Sequence, residues 1–343
     1  MKQGRKVSLI LLVAFGILVW LCRPVANAAW MRQPVSIRLN CDHPGEIIGE
    51  YLDRLRPGDT LLVTGTCREN VLIPPQFLNV TLNGQGTATI DGPDGTNPTV
   101  QIEGSGITIQ GFKITGGLEG VSVTQGGNAT ITGNMIYGTG DNGIGVYKHS
   151  FAKIDGNTIH HAGNYGINVK ETSAARIINN TVENAPGNAG IGIAEGSSAR
   201  IGISSPDDTA PSPNTVRNNN GHGVRLQGHS SAVIAGNMIS NNSKNGVYIQ
   251  ENSEANVAGN TIQGNAGNGI RLIGSGLTLG ASPEIGLTNL SNSTDPSELN
   301  QGYGIECDFG GYLLGQQGTA QNSLNGASGR RALDPTCINR LSD

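Results

Sequence analysis

The sequence has 343 residues, 52 of them Gly, whereas aromatic residues make up 4% and charged residues 14%. This glycine content excludes a mainly helical protein, because each Gly in a helix interior costs about 1 kcal/mol relative to Ala. The formal net charge of −4 offers no basic footprint for general nucleic-acid binding, and a hydrophobic content of 36% does not fit a disordered chain.

The first 28 residues are predicted to be a signal peptide. Basic residues near the start precede an apolar stretch over 7–21, and Ala-Asn-Ala at 26–28 fits a cleavage site. An uncleaved anchor is the alternative. No later segment is apolar enough to span a bilayer, so we expect a secreted or periplasmic protein with no membrane attachment after cleavage.

Residues 29–57 are predicted to cap the N-terminal end of the fold. Asp42, Pro44 and Glu46 are typical of a helix start, and the apolar residues that follow share one helical face. We therefore predict a short capping helix over 44–56.

Four cysteines lie beyond the predicted signal peptide, two near each end of the remaining chain. In an exported chain an even number of cysteines is typical of disulfides. Three pairings are possible, and proximity favours Cys41 with Cys67 and Cys307 with Cys337. No Cys/His spacing indicates a metal site, so no cofactor is expected.

A motif of about 23 residues recurs along the middle of the chain, which is typical of a solenoid. Each copy holds a Gly before alternating apolar residues, and later an Asn. The recurring glycines are Gly120, Gly143, Gly166, Gly190, Gly223, Gly246 and Gly269. The recurring asparagines are Asn134, Asn157, Asn180, Asn214, Asn237 and Asn260. One longer interval holds an insertion over 204–213, which we expect to form a loop.

Within each copy the apolar residues alternate with period two over short runs, which indicates half-buried strands rather than helices. Three such strands joined by tight turns predict a parallel β-helix with rungs about 4.8 Å apart. A leucine-rich repeat is the main competing interpretation, but it is rich in Leu and often half helical. The recurring Asn is predicted to adopt left-handed backbone geometry at a turn and to bond to the next rung.

The repeat resembles the right-handed parallel β-helix of the pectin lyase-like superfamily over roughly 59–307. In that family an asparagine ladder lies between the second and third strands, and the recurring asparagines match it. The resemblance implies an all-β, single-stranded right-handed parallel β-helix over 58–310, with an irregular C-terminal cap over 311–343. It also implies that the outer face of the first strand borders a groove for a polysaccharide, with the 204–213 loop expected beside it.

Hydrolases of the polygalacturonase type in this superfamily carry clustered aspartates, a Gly-His-Gly sequence and a downstream Arg-x-Lys. Here His222 lies in a Gly-His-Gly sequence, but Ile273 stands where Lys is expected and the preceding copies lack acids. Inverting hydrolysis needs two facing carboxyl groups, so a hydrolase is disfavoured.

Alginate epimerases of the superfamily carry an Asp-Pro-His-Asp segment after a Tyr-Gly-Phe lead-in. Here Asn-Val-Lys-Glu at 168–171 follows Tyr-Gly-Ile and lacks the His and the first Asp. Proton abstraction beside a carboxylate needs a base and charge neutralisation. Lys170 as base, Lys148 as neutraliser and Glu171 are the catalytic candidates, and solvated lysines are the alternative. Pectate lyases need a Ca²⁺-binding carboxylate cluster, which the scattered acids here do not support.

Two outward columns of side chains are candidates for substrate binding. Arg225, Tyr248 and Arg271 occupy one position on three successive copies, and two guanidinium groups flanking a ring suit an acidic sugar chain. A second column and two residues in the turn beside the groove complete the set: Lys153, Arg176, Arg200, Tyr147 and His149. Plain solvated surface is the alternative for each.

Two classes of function remain open. The first is an exported protein that binds or modifies a polysaccharide, possibly acidic, and acts as a lyase or epimerase if it is catalytic. The second is a non-catalytic β-helix for structure, adhesion or surface interaction. The missing acid–base set favours the second class, and the Arg225 column favours the first. The sequence predicts neither the sugar nor the oligomeric state.

Overall fold

The computed structural model describes residues 32–205, 208, 210–279, 300–315 and 333–340. The predicted signal peptide lies outside these residues. The strands and the helix of the described residues belong to the compact unit Pro34–Asp343.

Short strands stack into three parallel sheets, because each turn of the coil contributes one strand to each sheet. Over the described part of the chain, sheet 1 has ten strands: Val71–Ile73, Val100–Ile102, Val121–Val123, Ile144–Val146, Tyr165–Val169, Ala189–Ile193, His222–Leu226, Val247–Gln250, Ile270–Ile273 and Ile305–Asp308.

Sheet 2 has thirteen strands within the same ranges: Ser36–Asn40, Thr60–Thr64, Thr81–Asn83, Ser105–Gln110, Asn128–Thr132, Phe151–Asp155, Ala174–Ile178, Ser198–Ile201, Ser231–Ala235, Glu254–Ala258, Gly276–Leu279, Tyr312–Gly315 and Ile338–Asn339. Sheet 3 has nine among the residues described: Thr66–Arg68, Thr89–Gly92, Lys113–Gly116, Met135–Tyr137, Thr158–His160, Thr181–Glu183, Thr215–Arg217, Met238–Ser240 and Thr261–Gln263.

The strand register follows the repeat of the sequence. Ile144 pairs with Val121 on one side and with Ile167 on the other, each the same position of a neighbouring rung. Ile144, Ile154 and Ile159, one from each sheet, are fully buried. The predicted parallel β-helix with a core of Ile and Val columns is confirmed.

The recurring asparagines form a buried ladder along the coil. The backbone N–H and the side-chain Nδ2 of Asn157 both donate to Oδ1 of Asn180, at 2.9 and 3.0 Å. The predicted bond to the next rung is confirmed, but the predicted left-handed backbone is wrong. The left-handed residue is the one before, such as Gly156 at φ +67°, because the corner is made there and the Asn side chain then points inward.

A second asparagine ladder runs along the other end of sheet 3, where each side-chain oxygen accepts from the preceding rung. Its members are Asn219, Asn242, Asn265 and Asn300. This ladder was not predicted, although its first three residues show the repeat spacing.

The N-terminal helix is shorter than predicted. It spans Ile48–Leu52, and Ile48 and Leu52 pack into the core. The carboxylate of Glu69 accepts hydrogen bonds from the first backbone N–H groups, those of Ile48 and Gly49. The extent predicted over 44–56 is therefore wrong, because a residue of the next rung fixes the helix start.

Both predicted disulfides are present, Cys41 with Cys67 and Cys307 with Cys337. Sheet 2 continues beyond residue 310, since Tyr312–Gly315 pairs with Gly276–Leu279 and with Ile338–Asn339. Much of the segment predicted as the C-terminal cap lies outside the described residues.

We expect Asn180→Ala to destabilise the fold by about 3 kcal/mol. The change removes the acceptor for two groups of Asn157 and the donor to the Ile154 carbonyl, at 2.9 Å, and each buried unsatisfied group costs about 1–3 kcal/mol. The free energy of unfolding in urea measures this loss. Asn220→Ala is the control, because Asn220 makes an exposed bond to Pro186. Equal losses in both variants would contradict a ladder contribution.

Candidate functional site

The outward face of sheet 1 carries two tyrosines that cross over glycines. A Cβ added to Gly145 would lie 2.3 Å from the Tyr147 hydroxyl, and one added to Gly192 would lie 2.6 Å from the Tyr165 ring. Both rings therefore lie directly against the strand backbone. Any larger residue at either glycine would displace the tyrosine above it.

Tyr147 belongs to a buried hydrogen-bond network. Its hydroxyl donates to Glu119 and accepts from Asn142 Nδ2 at 2.8 Å, while Asn142 Nδ2 also lies 2.9 Å from Glu119 Oε1. Burial raises the pKa of Glu119, and the hydrogen bonds from Asn142 and Tyr147 partly offset this. Burial, together with the charge of Glu119, raises the pKa of Tyr147 well above its usual value. The phenol therefore stays protonated and acts as a donor.

A depression of about 490 Å³ opens above this network. Tyr147, Tyr165 and Asn168 contribute to its lining, together with Asp141 and Glu195. The lining combines aromatic rings, amides and charges of both signs. Such a surface suits a polar, partly charged ligand rather than an apolar one.

The three catalytic candidates line the same depression. Lys170 Nζ lies 3.5 Å from Glu171 Oε1 and 5.3 Å from the centre of the Tyr147 ring. Lys148 is exposed on the adjacent turn, where its backbone is left-handed at φ +53°. The structure thus brings these residues to one surface, and their catalytic role stays a prediction.

Arg225, Tyr248 and Arg271 are aligned in register on sheet 1, as expected for one column. The two arginines differ in their partners. Arg271 forms ion pairs with Glu306, at 3.0 Å, and with Asp308, at 2.7 Å.

Arg225 forms no ion pair with any residue that the structure describes. Its Nη1 lies 3.4 Å from the Tyr165 hydroxyl, and its buried Nε has no hydrogen-bond partner. Burial raises the pKa of Tyr165, and the nearby Arg225 charge opposes that shift. Arg225 is therefore a cation with spare donor capacity at the groove.

His222 stacks on Tyr248 with ring centroids 4.4 Å apart and an interplanar angle of 8°. Burial lowers the pKa of His222 to about 3, aided by the positive charges of Lys244, Arg225 and Arg271. The backbone N–H of Asn245 points at Nδ1, at 3.3 Å, so the neutral ring carries its proton on Nε2. The imidazole is thus an uncharged donor within a cationic part of the groove.

The second basic column lies on a different face. Lys153, Arg176 and Arg200 are aligned in register on sheet 2. Lys153 pairs with Asp155 at 3.0 Å, and Arg176 lies 5.7 Å from the centre of the Phe151 ring. This column therefore lies on a different sheet from Arg225, and its role in substrate binding stays a prediction.

His149 is exposed on the turn between sheets 1 and 2 and does not line the depression. Tyr147, predicted beside it, is only 9% exposed and bonds to Glu119. It also lines the depression, and its role in substrate binding stays a prediction.

Four residues of this face were not predicted as site residues. The sequence motifs did not point to Glu119 or Asn142. Tyr165 was considered only as part of the Tyr-Gly-Ile segment before 168–171, and His222 only as part of a hydrolase-like Gly-His-Gly sequence. All four occupy the position immediately before the recurring glycine. Aligning the copies at that glycine would identify these residues, because the position before the glycine flanks the groove on successive rungs.

The described residues of the insertion over 204–213 do not lie beside this groove, contrary to expectation. Ser212 N–H donates to the Gly202 carbonyl at 2.7 Å, and the Ser212 carbonyl accepts from Asn179 N–H at 3.1 Å. Pro211 packs against Gly236, since a Cβ added to Gly236 would lie 2.3 Å from the Cβ of Pro211. The insertion follows a strand of sheet 2, so it emerges at the corner with sheet 3.

No group of three or more His, Cys, Asp or Glu that would hold a metal occurs in the described segments. Across those segments, no helix has both the length and the apolarity to cross a membrane.

The family model described as "Right handed beta helix region" matches residues 98–205 and 212–282. The chain belongs to the right-handed β-helix family. The predicted handedness is thereby confirmed, and the predicted pectin lyase-like fold agrees with the neighbouring structures. No curated protein sequence matches this β-helix protein.

Two structures of the periplasmic alginate epimerase AlgG are similar to the β-helix protein in fold. The first has a TM-score of 0.54 at 18% identity, covering 90% of this chain and 72% of that chain. A single-substitution mutant of AlgG has a TM-score of 0.55 at 19% identity, with the same coverage. The A-module of the mannuronan C-5 epimerase AlgE4 from Azotobacter vinelandii has a TM-score of 0.47 at 14% identity, covering 90% and 89%.

We expect His222 to make the β-helix less stable in acid. Its pKa is about 3 in the folded state and near 6.5 when unfolded, so below pH 6.5 the unfolded chain takes up a proton that the folded chain does not. Stability is lost as the pH falls from 6.5 toward 3, and His222→Gln removes this part of the loss. Thermal melts at a series of pH values test this against His229→Gln, a change at an exposed histidine. Parallel pH profiles for wild type and His222→Gln would contradict it.

Proposed function

We propose that the β-helix protein is exported and binds an acidic polysaccharide along the outward face of sheet 1, with Arg225 receiving a sugar carboxylate. The observation that carries the proposal is the contrast within one column of side chains. Arg271 already holds two carboxylates, whereas Arg225 has none among the described residues.

The buried Nε of Arg225 has no hydrogen-bond partner. A guanidinium without a carboxylate partner gains a charge-assisted hydrogen bond, worth about 1.5–3 kcal/mol, when a ligand carboxylate binds it. Guanidinium groups bind carboxylates through two parallel hydrogen bonds. A uronate residue of a sugar chain presents such a carboxylate.

The surroundings of Arg225 suit a carbohydrate. The Tyr165 hydroxyl lies 3.4 Å from the guanidinium, and amide side chains of Asn168 and Gln227 line the neighbouring depression. Tyrosine combines an apolar ring with a polar end, and sugars likewise have apolar faces and hydroxyl edges. Lys170 lines that depression and supplies a cation beside the Arg225 position.

The face of sheet 1 supports a polymer rather than a small molecule. Equivalent positions recur about every 4.8 Å along the coil, so a chain laid along the sheet meets a new set of side chains at each rung. The fold is that of a structure described as an alginate epimerase, an enzyme of an acidic polysaccharide. That likeness is compatible with the proposal, and the arrangement around Arg225 carries it.

Two features support export. The sequence predicts a signal peptide, and two disulfides join residues at the two ends of the coil. Disulfides persist in the periplasm and outside the cell but are rare in the cytosol.

Elimination or epimerisation of the bound uronate is a second candidate function, favoured by the place of Lys170 beside the groove. Both reactions remove a proton next to a carboxylate and need that carboxylate neutralised. In the resting structure the Lys170 ammonium is paired with Glu171 and has no lone pair to accept a proton. In that state Lys170 is suited to neutralise the sugar carboxylate, and the neighbouring Glu171 carboxylate is the candidate that accepts the proton.

We expect Arg225→Ala to weaken binding to alginate or polygalacturonate about tenfold or more, because a charge-assisted hydrogen bond is worth about 1.5–3 kcal/mol. Retardation of the mature chain in gels that contain the polysaccharide measures the dissociation constant. Gly192→Ala keeps every charge but displaces Tyr165, which holds Arg225, so it also weakens binding.

Two matched controls accompany these variants. Arg68→Ala removes an exposed arginine of sheet 3, and Gly140→Ala adds a Cβ that lies no closer than 3.5 Å to its neighbours. Retardation of Arg225→Ala equal to that of wild type would remove Arg225 from the site. Equal weakening by Arg68→Ala would indicate a general charge effect.

Incubation with a panel of polyuronates, with and without Ca²⁺, tests the second candidate. Elimination produces a carbon–carbon double bond conjugated to the carboxylate, which raises ultraviolet absorbance. If the β-helix is a lyase, the rise is lost in Lys170→Ala and retained in Lys153→Ala, since Lys153 lies on sheet 2. A flat trace across the panel excludes the lyase and leaves the binding proposal standing.

A further inference from the structure

Two histidines meet on the outward side of sheet 3, away from the groove. His160 ends the strand Thr158–His160, and His161 follows it in the chain. Their Nδ1 atoms lie 2.9 Å apart, with the two rings nearly perpendicular at 88°. His161 is exposed and His160 is half-buried, so the pair is accessible from solvent.

Several contacts hold this pair in place. The Tyr137 ring, one rung earlier, stacks on His160 at a centroid distance of 5.3 Å and an angle of 9°. His161 has a left-handed backbone at φ +54°, and its N–H donates to the Glu183 carbonyl at 3.3 Å. The left-handed backbone of His161 lets both residues direct their Nδ1 atoms toward one point. An extended strand does not allow this, because its consecutive side chains point to opposite faces.

We propose that His160 and His161 form a chelating site for a divalent transition metal, with Cu²⁺ as the preferred ion. Imidazole nitrogens bind such metals at about 2.0–2.1 Å. Two neighbouring corners of a square-planar ion at that bond length are about 2.9 Å apart, and square-planar geometry with nitrogen ligands is typical of Cu²⁺ and Ni²⁺. Among first-row divalent ions, Cu²⁺ binds such ligands most tightly.

The proton balance of the site is simple. In the metal-free pair one Nδ1 carries the proton that lies between the two rings. When the metal binds both Nδ1 atoms, that proton moves to Nε2 of the same ring, so two neutral imidazoles bind with no net proton release.

The remaining coordination positions face solvent. Glu183 pairs in register with His160, and one of its oxygens lies 2.7 Å from Arg217 Nε. A carboxylate therefore lies one rung from the two nitrogens, and water completes the shell. The site is independent of the polysaccharide groove, because the histidines belong to sheet 3 and Arg225 belongs to sheet 1.

Titration of the full chain, expressed without a histidine tag, with Cu²⁺ alone tests the proposal. Calorimetry gives the stoichiometry and affinity, and electron paramagnetic resonance reports the nitrogens bound to copper. We expect a site whose spectrum shows two imidazole nitrogens. His160→Ala and His161→Ala should each weaken that site about tenfold or more, as expected for loss of one of two chelating ligands.

A double variant, His149→Ala with His229→Ala, is the matched control. Both residues are exposed histidines on the turns between sheets 1 and 2, so this variant should bind Cu²⁺ as wild type does. Unchanged affinity and spectrum in His160→Ala or in His161→Ala would overturn the proposal. So would equal weakening in the control. His160→Gln keeps a polar side chain and should also lose the site, while the thermal midpoint shows that the fold is intact.

Discussion

The parallel hydrogen bonds between successive turns are the constraint on which the rest of the structure depends. They fix the rung spacing at about 4.8 Å and hold the register, so each side chain stacks on the same position of its neighbour, as Ile144 does on Ile167. Inside the coil this stacking yields columns of Ile and Val. At the corners it lets one Asn amide bond to the next, as Asn157 does to Asn180. Outside, it aligns Arg225 with Tyr248 on the open face of sheet 1.

The same constraint explains what could be predicted from the sequence. Alternating apolar residues and the recurring Asn determine strands, sheets and ladder, because these depend only on position within the repeat. Side-chain contacts that cross rungs were not predictable in this way. Tyr147 reaches Glu119 only because Gly145 leaves space beneath the ring, and the pattern alone does not give a side chain's direction. The helix start escaped prediction for a similar reason, since Glu69 of another rung caps it.

Electrostatics separates residues that the repeat makes equivalent. Arg225 and Arg271 occupy one column, yet Glu306 and Asp308 on the following rung neutralise Arg271. Both acids follow residues 280–299 in the chain, where the sequence repeat weakens. The repeat spacing therefore did not predict that they pair with Arg271. The cationic character of the groove is therefore centred on Arg225 and Lys170, toward the middle of the coil rather than along the whole stripe.

The glycines under the tyrosine rings have a consequence for how such a groove diversifies. Gly192 and Tyr165 belong to different turns, yet residue 192 cannot gain a Cβ while the Tyr165 ring keeps its place, since that Cβ would collide with the ring. A duplication or exchange of a single turn would move either the glycine or the tyrosine without the other. New groove surfaces in this lineage should therefore arise through linked substitutions in turns that lie next to each other. Descendants would then inherit blocks of consecutive turns rather than isolated replacements.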